Sequence, residues 1–330
     1  MNENRKMTGK PGLFFTFILP SEDLHPFMKM NIISISRVIM RSAFFITVVG
    51  LLFADCQKEI NSGETSLPFE ITPDTTNINP GIIDEASGIA DSKKNPGYLW
   101  VQQDSGNPPE LYLLSYNGNV FKKIHIKGAI NRDWEDITIG SGPAPGTNYI
   151  YVAETGDNTA SYPDYAIYRM PEPSLTEDTI YTWEKITFQY PDGSHDVEAI
   201  LTDDDTNDIY LVTKRDSVSK IFRLPYPQNI GTTNMALEEG TMKISGACSA
   251  AISPDGRELL IKNYTNVYYW KRENGESIIQ ALKRIPVTLG YVLEPQGEAL
   301  CFKNDNSGFY TLSEKPFFAN FVSLNFYKRK

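Results

Sequence analysis

The sequence predicts an all-β chain folded as a single β-propeller of four-stranded blades. Three observations predict it. First, five short segments nearly repeat one another: Ser87-Gly88-Ile89-Ala90, Glu135-Asp136-Ile137-Thr138, Glu198-Ala199-Ile200-Leu201, Cys248-Ser249-Ala250-Ala251 and Glu298-Ala299-Leu300-Cys301. Their first residues lie 48, 63, 50 and 50 positions apart, and self-similarity at roughly 20–50 residues marks a repeat architecture. Second, no long stretch carries helical periodicity. Short Val/Ile/Tyr/Phe-rich runs alternate with turns such as Asn95-Pro96-Gly97, Tyr116-Asn117-Gly118-Asn119, Ser253-Pro254-Asp255-Gly256 and Asp305-Asn306-Ser307-Gly308, a pattern of many short strands. Third, the last repeat ends after its third strand, while a spare strand near Pro68 to Thr72 precedes the first. That strand would complete the last blade and close the ring, which removes exposed sheet edges.

Each repeat reads as four strands. The repeated segment is the innermost. Second strands are Tyr98–Val101, Tyr149–Val152, Asp208–Leu211, Glu258–Ile261 and Gly308–Thr311; third strands are Leu111–Leu114, Tyr165–Tyr168, Lys220–Arg223, Val267–Trp270 and Phe321–Leu324. Fourth strands are weaker: Val120–Ile126, Thr182–Tyr190, Met235–Ile244 and Ile278–Val287. Five blades follow, and the long second repeat leaves room for a sixth. The propeller is expected over residues 67–330.

The N-terminus reads as an address. Ala43 to Ala54 is an apolar run behind Arg37 and Arg41, too short to span a bilayer, which takes about 20 residues, and right for a signal sequence. It ends at Cys56, and an apolar run ending at a Cys resembles a bacterial lipoprotein signal. Residues 1–55 are therefore expected to be a leader whose true start is Met40 or Met30. Cys56 is the expected lipidation site, and 56–66 a polar tether. The protein would sit in the bacterial cell envelope on a lipid anchor, or be secreted if Cys56 is not lipidated. Cys248 and Cys301 differ in register by three, hence point to opposite faces, and are expected as two buried thiols.

The chain carries a net charge of −10. Residues 1–55 hold six of the 31 Lys/Arg and four of the 41 Asp/Glu, which leaves the remainder at −12. That sign argues against binding nucleic acid, or a membrane surface, by charge. It suits cations, cationic partners or neutral sugars.

The starts of first strands and the ends of second strands meet on one face of a propeller, and there the sequence is unexpectedly polar. The starts carry Glu85, Asp133, Glu135, Asp136, His195, Asp196, Glu198 and Glu298. The ends carry Asp104, Asn107, Glu154, Asp157, Asn158, Lys214, Arg215, Asn263, Glu314 and Lys315. Carboxylates crowded in a channel must bind a hard cation, pair with Lys or Arg, or hold protons. His195, beside carboxylates, could act as a base or be structural. Asp203-Asp204-Asp205-Thr206-Asn207-Asp208 is expected as a turn on the far face, and Trp134 as core between blades.

The signatures Asp133-Trp134-Glu135-Asp136-Ile137, Thr155-Gly156-Asp157-Asn158, His195-Asp196-Val197-Glu198-Ala199 and Pro295-Gln296-Gly297-Glu298-Ala299 look like those of poorly characterised bacterial secreted propellers. More loosely, the Glu-Ala strand starts are similar to lactonase-like propellers (gluconolactonase and relatives) and to the esterase-like phytase group. The resemblance implies a divalent metal, usually Ca²⁺, over the channel. Glu135, Glu198 and Glu298 match the strand-start position as metal ligands, and Asn158 or Asn107 could supply an amide, while Ser87 and Cys248 replace the acid in two blades. The expected function is a monomeric, envelope-anchored propeller that binds a small polar ligand, with Ca²⁺, at the channel mouth. Asp104, Asn107, Glu154, Asp157, Asn158, Lys214, Arg215, Asn263 and Glu314 are its candidate ligand contacts. Two alternatives stand beside it: a metal-assisted hydrolase of an ester, lactone or phosphoester using Glu198 or His195, and a protein-interaction platform.

Overall fold

In the computed structural model, which describes residues 67–315 and 321–330, the strands form five separate sheets set around one axis. Strand β1 (Asp74–Ile78) comes first. Blade 1 then holds β2 (Ala86–Asp91), β3 (Tyr98–Gln103), β4 (Glu110–Ser115) and β5 (Val120–Ile126). Blade 2 holds β6 (Trp134–Gly140), β7 (Tyr149–Glu154), β8 (Tyr165–Pro171) and, after the two-residue β9 (Thr179–Ile180), β10 (Glu184–Gln189). Blade 3 holds β11 (Val197–Thr202), β12 (Ile209–Thr213), β13 (Lys220–Leu224) and, after β14 (Asn234–Met235), β15 (Leu237–Thr241). Blade 4 holds β16 (Ser249–Ile252), β17 (Glu258–Lys262), β18 (Val267–Lys271), helix α1 (Ile278–Leu282) and β19 (Val287–Leu289). Blade 5 holds β20 (Gly297–Phe302), β21 (Gly308–Ser313) and β22 (Val322–Lys328), with β1 on its outside. The protein is a five-bladed β-propeller.

The ring is closed by packing as well as by pairing. The inner strands touch in a circle, β2 to β6 to β11 to β16 to β20 and back to β2. Five apolar clusters lie one per blade interface. Trp100 and Leu113 meet Trp134 and Val152 between blades 1 and 2, and Tyr310 and Leu312 meet Ile89 and Val101 between blades 5 and 1. Trp134 is fully buried, as its alternation predicts.

Short strands reach from one blade to the sheet before it. β9 pairs in parallel with β5, and β14 in parallel with β10. The first of these excursions lies in the long second repeat, so its extra residues make a clasp and not a sixth blade.

Two element boundaries differ from the sequence reading. The closing strand is β1, not Pro68–Thr72: Phe69 makes only a bridge to Arg329, and pairing with β22 resumes at Asp74, past Pro73, which has no N–H to give a ladder. In blade 4 the expected strand Ile278–Val287 begins as α1. Ser277 and Gln280 cap it reciprocally, Ser277 Oγ accepting from the Gln280 N–H at 3.2 Å and Gln280 Oε1 from the Ser277 N–H at 2.9 Å. Ile278, Ala281 and Leu282 share the buried face, so the fourth strand waits until Val287.

Cys248 and Cys301 are buried free thiols. Residues 203–208 form the expected turn, with Asn207 left-handed at φ 60°. The proposed leader, tether and Cys56 lie outside the described residues. No helix among the described residues is long and apolar enough to cross a membrane.

Candidate functional site: the acidic channel mouth

Four of the five inner strands carry a β-bulge at the same level. Ser87 is the extra residue between the pairs Ala86–Gln103 and Gly88–Gln102. Glu198 and Glu298 occupy the same place in β11 and β20, and Glu135 with Asp136 in β6. A bulge re-aims the side chain it carries, and here it turns one side chain per blade toward the axis. β16 pairs without a shift in register and offers only Cys248.

The contacts that follow cross the ring. Lys214, just past β12 in blade 3, forms an ion pair with Glu198 in its own blade, and its Nζ lies 3.3 Å from Glu298 Oε1 in blade 5. It also donates to Tyr264 OH of blade 4 at 2.9 Å, and Tyr264 donates to Glu298. Burial lifts Glu198 to about 8, against the pull of Lys214. Lys214 itself is held above its usual range: burial works against its charge, but Glu198 and Glu298 outweigh it.

Around Glu135 the acids crowd together. Carboxylate oxygens of Asp104, Asp133 and Glu135 all lie within 4.8 Å of one another, and those of Glu135, Asp196 and Glu198 do likewise. Asp196 is paired to Arg215 Nε at 2.6 Å. Glu135, only 5% exposed, has no hydrogen-bond donor and no cation among the described residues. Burial, then Glu198 and Asp104, push its carboxyl well above the usual range. Burial, aided by Asp133 and Glu298, lifts Asp104 to about 6. Glu314 reaches about 8 through burial and the charges of Glu298 and Asp104.

The remaining candidates serve the local backbone or the rim. Glu154 Oε1 accepts the N–H groups of Arg132 and Asp133 at 3.0 Å each, so it presents Asp133 to the mouth from below. Asp157 accepts from the N–H of Ser161 and Tyr162 and from Tyr165 OH. Burial would raise it, but these donors more than offset that and hold it below the usual range. Asn263 Oδ1 closes its own turn, accepting from the N–H of Thr265 and Asn266. Asn107 donates to Glu85 at 2.6 Å, and exposed Asn158 accepts from Arg215. His195 is clamped between Asp192 at 2.9 Å and Asp216 at 3.0 Å and packs against Tyr190 and Phe222. It is not brought to Glu198.

Three residues hold roles that the sequence does not assign, two of them already named as strand-start acids. Tyr264 lies in the turn Asn263-Tyr264-Thr265-Asn266, whose amides are its more conspicuous polar groups. Asp133 was visible as a strand-start acid, but the bulge that sets it beside Glu135 has no local signature. Asp136 points down the axis and accepts from the N–H groups of Ile137, Ile200 and Ala250 and from Ser249 Oγ, at 3.0 to 3.2 Å. It plugs the channel under the mouth. Beyond it, the far end of the axis keeps a cavity of about 50 Å³ lined by Ile89, Ile137, Thr138 and Ala250, room for a water or two.

No protein-family model and no curated protein matches the chain. Similar solved structures include an auxiliary nutrient binding protein from Bacteroides thetaiotaomicron (TM-score 0.45, 8% identity, covering 79% of this chain and 73% of that one). Luciferin-regenerating enzyme is another (TM-score 0.44, 10% identity, 78% and 95% covered). A nidogen/laminin complex is a third (TM-score 0.40, 13% identity, 69% and 72% covered). Likeness at these scores and identities carries no argument about what this chain binds.

Proposed function

We propose that the chain is a binding module that takes a small polar ligand at the channel mouth, with a divalent cation, Ca²⁺ by its chemistry, as part of the site. The observation that carries this reading is Glu135: a carboxylate 5% exposed, without a partner among the described residues, facing acids from blades 1, 2 and 3. Leaving such a group ionised and unpaired costs several kcal/mol, roughly, and a hard cation removes the cost with oxygen ligands. The rim offers the ligand hydrogen-bonding groups and an aromatic face: Asn107, Asn158, Arg215 and Tyr264. The hydrolase alternative needs a base beside the reacting group, and His195 is engaged elsewhere while Glu198 is bound to Lys214.

Thermal melts test the reading. Ca²⁺ at 100 times its dissociation constant should add about 2.7 kcal/mol, and a neutral sugar or amino acid from a panel should add a further shift only when Ca²⁺ is present. Melting indifferent to Ca²⁺, to chelator and to the whole panel would overturn it. We also propose that Cys56 anchors the chain by lipid, which incorporation of labelled palmitate, lost in Cys56→Ala, would support and its absence refute.

A further inference from the structure

We infer that the cation sits off the axis, on Asp104, Asp133 and Glu135, and not on the symmetric set Glu135, Glu198 and Glu298. This rests on the proposed cation-assisted binding and says where the cation is held. Glu135 belongs to two triads of mutually close carboxylates, and the two differ in what already answers them. In the triad with Asp196 and Glu198, Arg215 pairs with Asp196 and Lys214 with Glu198. Glu298, the third member of the symmetric set, is held by Lys214 and Tyr264. In the triad with Asp104 and Asp133, no Lys or Arg among the described residues pairs with any member. Two of its members are at least nine-tenths buried, Glu135 at 5% and Asp133 at 9% exposure; Glu135 has no hydrogen-bond or ion-pair partner among the described residues, and Asp133 has only the Ser105 side chain beside it.

The dimensions suit a calcium-sized ion. Oxygens that each stand about 2.4 Å from one ion can be no more than about 5 Å from each other, and the three carboxylates offer atoms within 4.8 Å. Water reaches the site through Asp104, which is half-buried, so the remaining coordination positions stay open to solvent or to a hydroxyl of the ligand. The backbone is cut to fit. A Cβ on Gly156 would lie 2.1 Å from Glu135 Oε1 and 2.5 Å from the Asp133 carboxyl carbon, so only glycine leaves both carboxylates where they are. Glu154 holds the Arg132–Asp133 turn from the inner side. Lys214 then acts as a built-in cation for the other half of the mouth, and a single divalent ion would offset most of the charge on this triad.

The test is Ca²⁺ titration of the full chain by calorimetry, with Tb³⁺ luminescence sensitised by the neighbouring aromatic residues as a second readout. Asp133→Asn and Gly156→Ala should each weaken Ca²⁺ binding by ~tenfold or more, since affinity follows ligand charge and placement, while Glu298→Gln changes it by less than about threefold. Circular dichroism confirms that each variant is folded. If Gly156→Ala fails to fold, Asp133→Asn decides alone. Loss of binding in Glu298→Gln with full binding in Asp133→Asn overturns this seat and leaves cation-assisted binding standing. No Ca²⁺ or Tb³⁺ binding by the unaltered chain overturns both.

Discussion

Asp91 shows how much one buried carboxyl can be asked to bear. It ends β2 at the opposite end from the mouth, 4% exposed, and accepts from Tyr116 OH and the Asn304 N–H at 2.7 Å each. Burial outweighs these donors and pushes it up to about 6. In the unfolded chain an aspartate titrates near 3.9, roughly. The folded state therefore holds the proton more tightly between those two values, and stability falls as pH rises through that window. The contribution is fully present below about pH 4 and gone above about pH 6, with a ceiling of roughly 3 kcal/mol. Asp91→Asn keeps one acceptor for Asn304 and gives Tyr116 a donor, so it should fold. Urea unfolding of both chains at pH 4.5 and 7.5 should show the variant gaining on the parent by about 1–3 kcal/mol at the higher pH. An equal difference at both values would mean that Asp91 is charged in the folded state throughout.

At the scale of the element, Asp136 joins three inner strands that are far apart in sequence. Its own strand β6 supplies the Ile137 N–H, β11 the Ile200 N–H, and β16 the Ala250 N–H and Ser249 Oγ. Ser87 Oγ adds a link from β2 to the Glu135 carbonyl at 2.6 Å. Asp136→Ala leaves these donors buried without acceptors, at about 1–3 kcal/mol each, and should cost at least ~4 kcal/mol in urea unfolding. Asp136→Asn, which keeps one oxygen, should fall between. A loss under about 1 kcal/mol for the alanine variant would show that the strands hold one another without this tie. The inner strands were legible because their repeat is local and keeps its spacing and its small, apolar character. The bulges were not, because a one-residue slip is set by the partner strand's register and leaves no mark in composition. Another feature was legible and missed. Ser277-Ile278-Ile279-Gln280 carries a capping box ahead of an i, i+3, i+4 apolar pattern, which is helical, yet the run reads as a strand if only its apolar content is weighed. His195 precedes β11 and Glu198 is the bulge residue within it, so a spacing of three does not bring them together, as their separate partners show.

At the scale of the molecule, the ring depends on a strand contributed from the other end of the chain. β1 pairs with β22 from Asp74–Phe326 through Ile78–Val322, and Thr75 Oγ1 bonds Asn325 at 2.6 Å. Ile78 and Phe69 are buried to 1% and 2% exposure, each in a different blade interface: Ile78 with Val322 and Tyr112, Phe69 with Phe309 and Tyr269. Their burial alone stabilises the fold by about 1.5–3 kcal/mol apiece. The segment from Phe69 to Ile78 thus seals both sides of blade 5, and β1 within it covers the open edge of β22. A chain lacking residues up to Pro80 should lose at least ~3 kcal/mol in urea unfolding and expose that edge to pairing with another copy. Light scattering after gel filtration should then find larger species than the full chain forms under the same conditions. The loss should be partly restored by adding residues 67–80 as a free peptide, since the vacated edge accepts any strand of the right register. A shortened chain that stays monomeric with unchanged stability would show that the three remaining strands of blade 5 suffice, and that closure rests on the inner ring of β2, β6, β11, β16 and β20 alone.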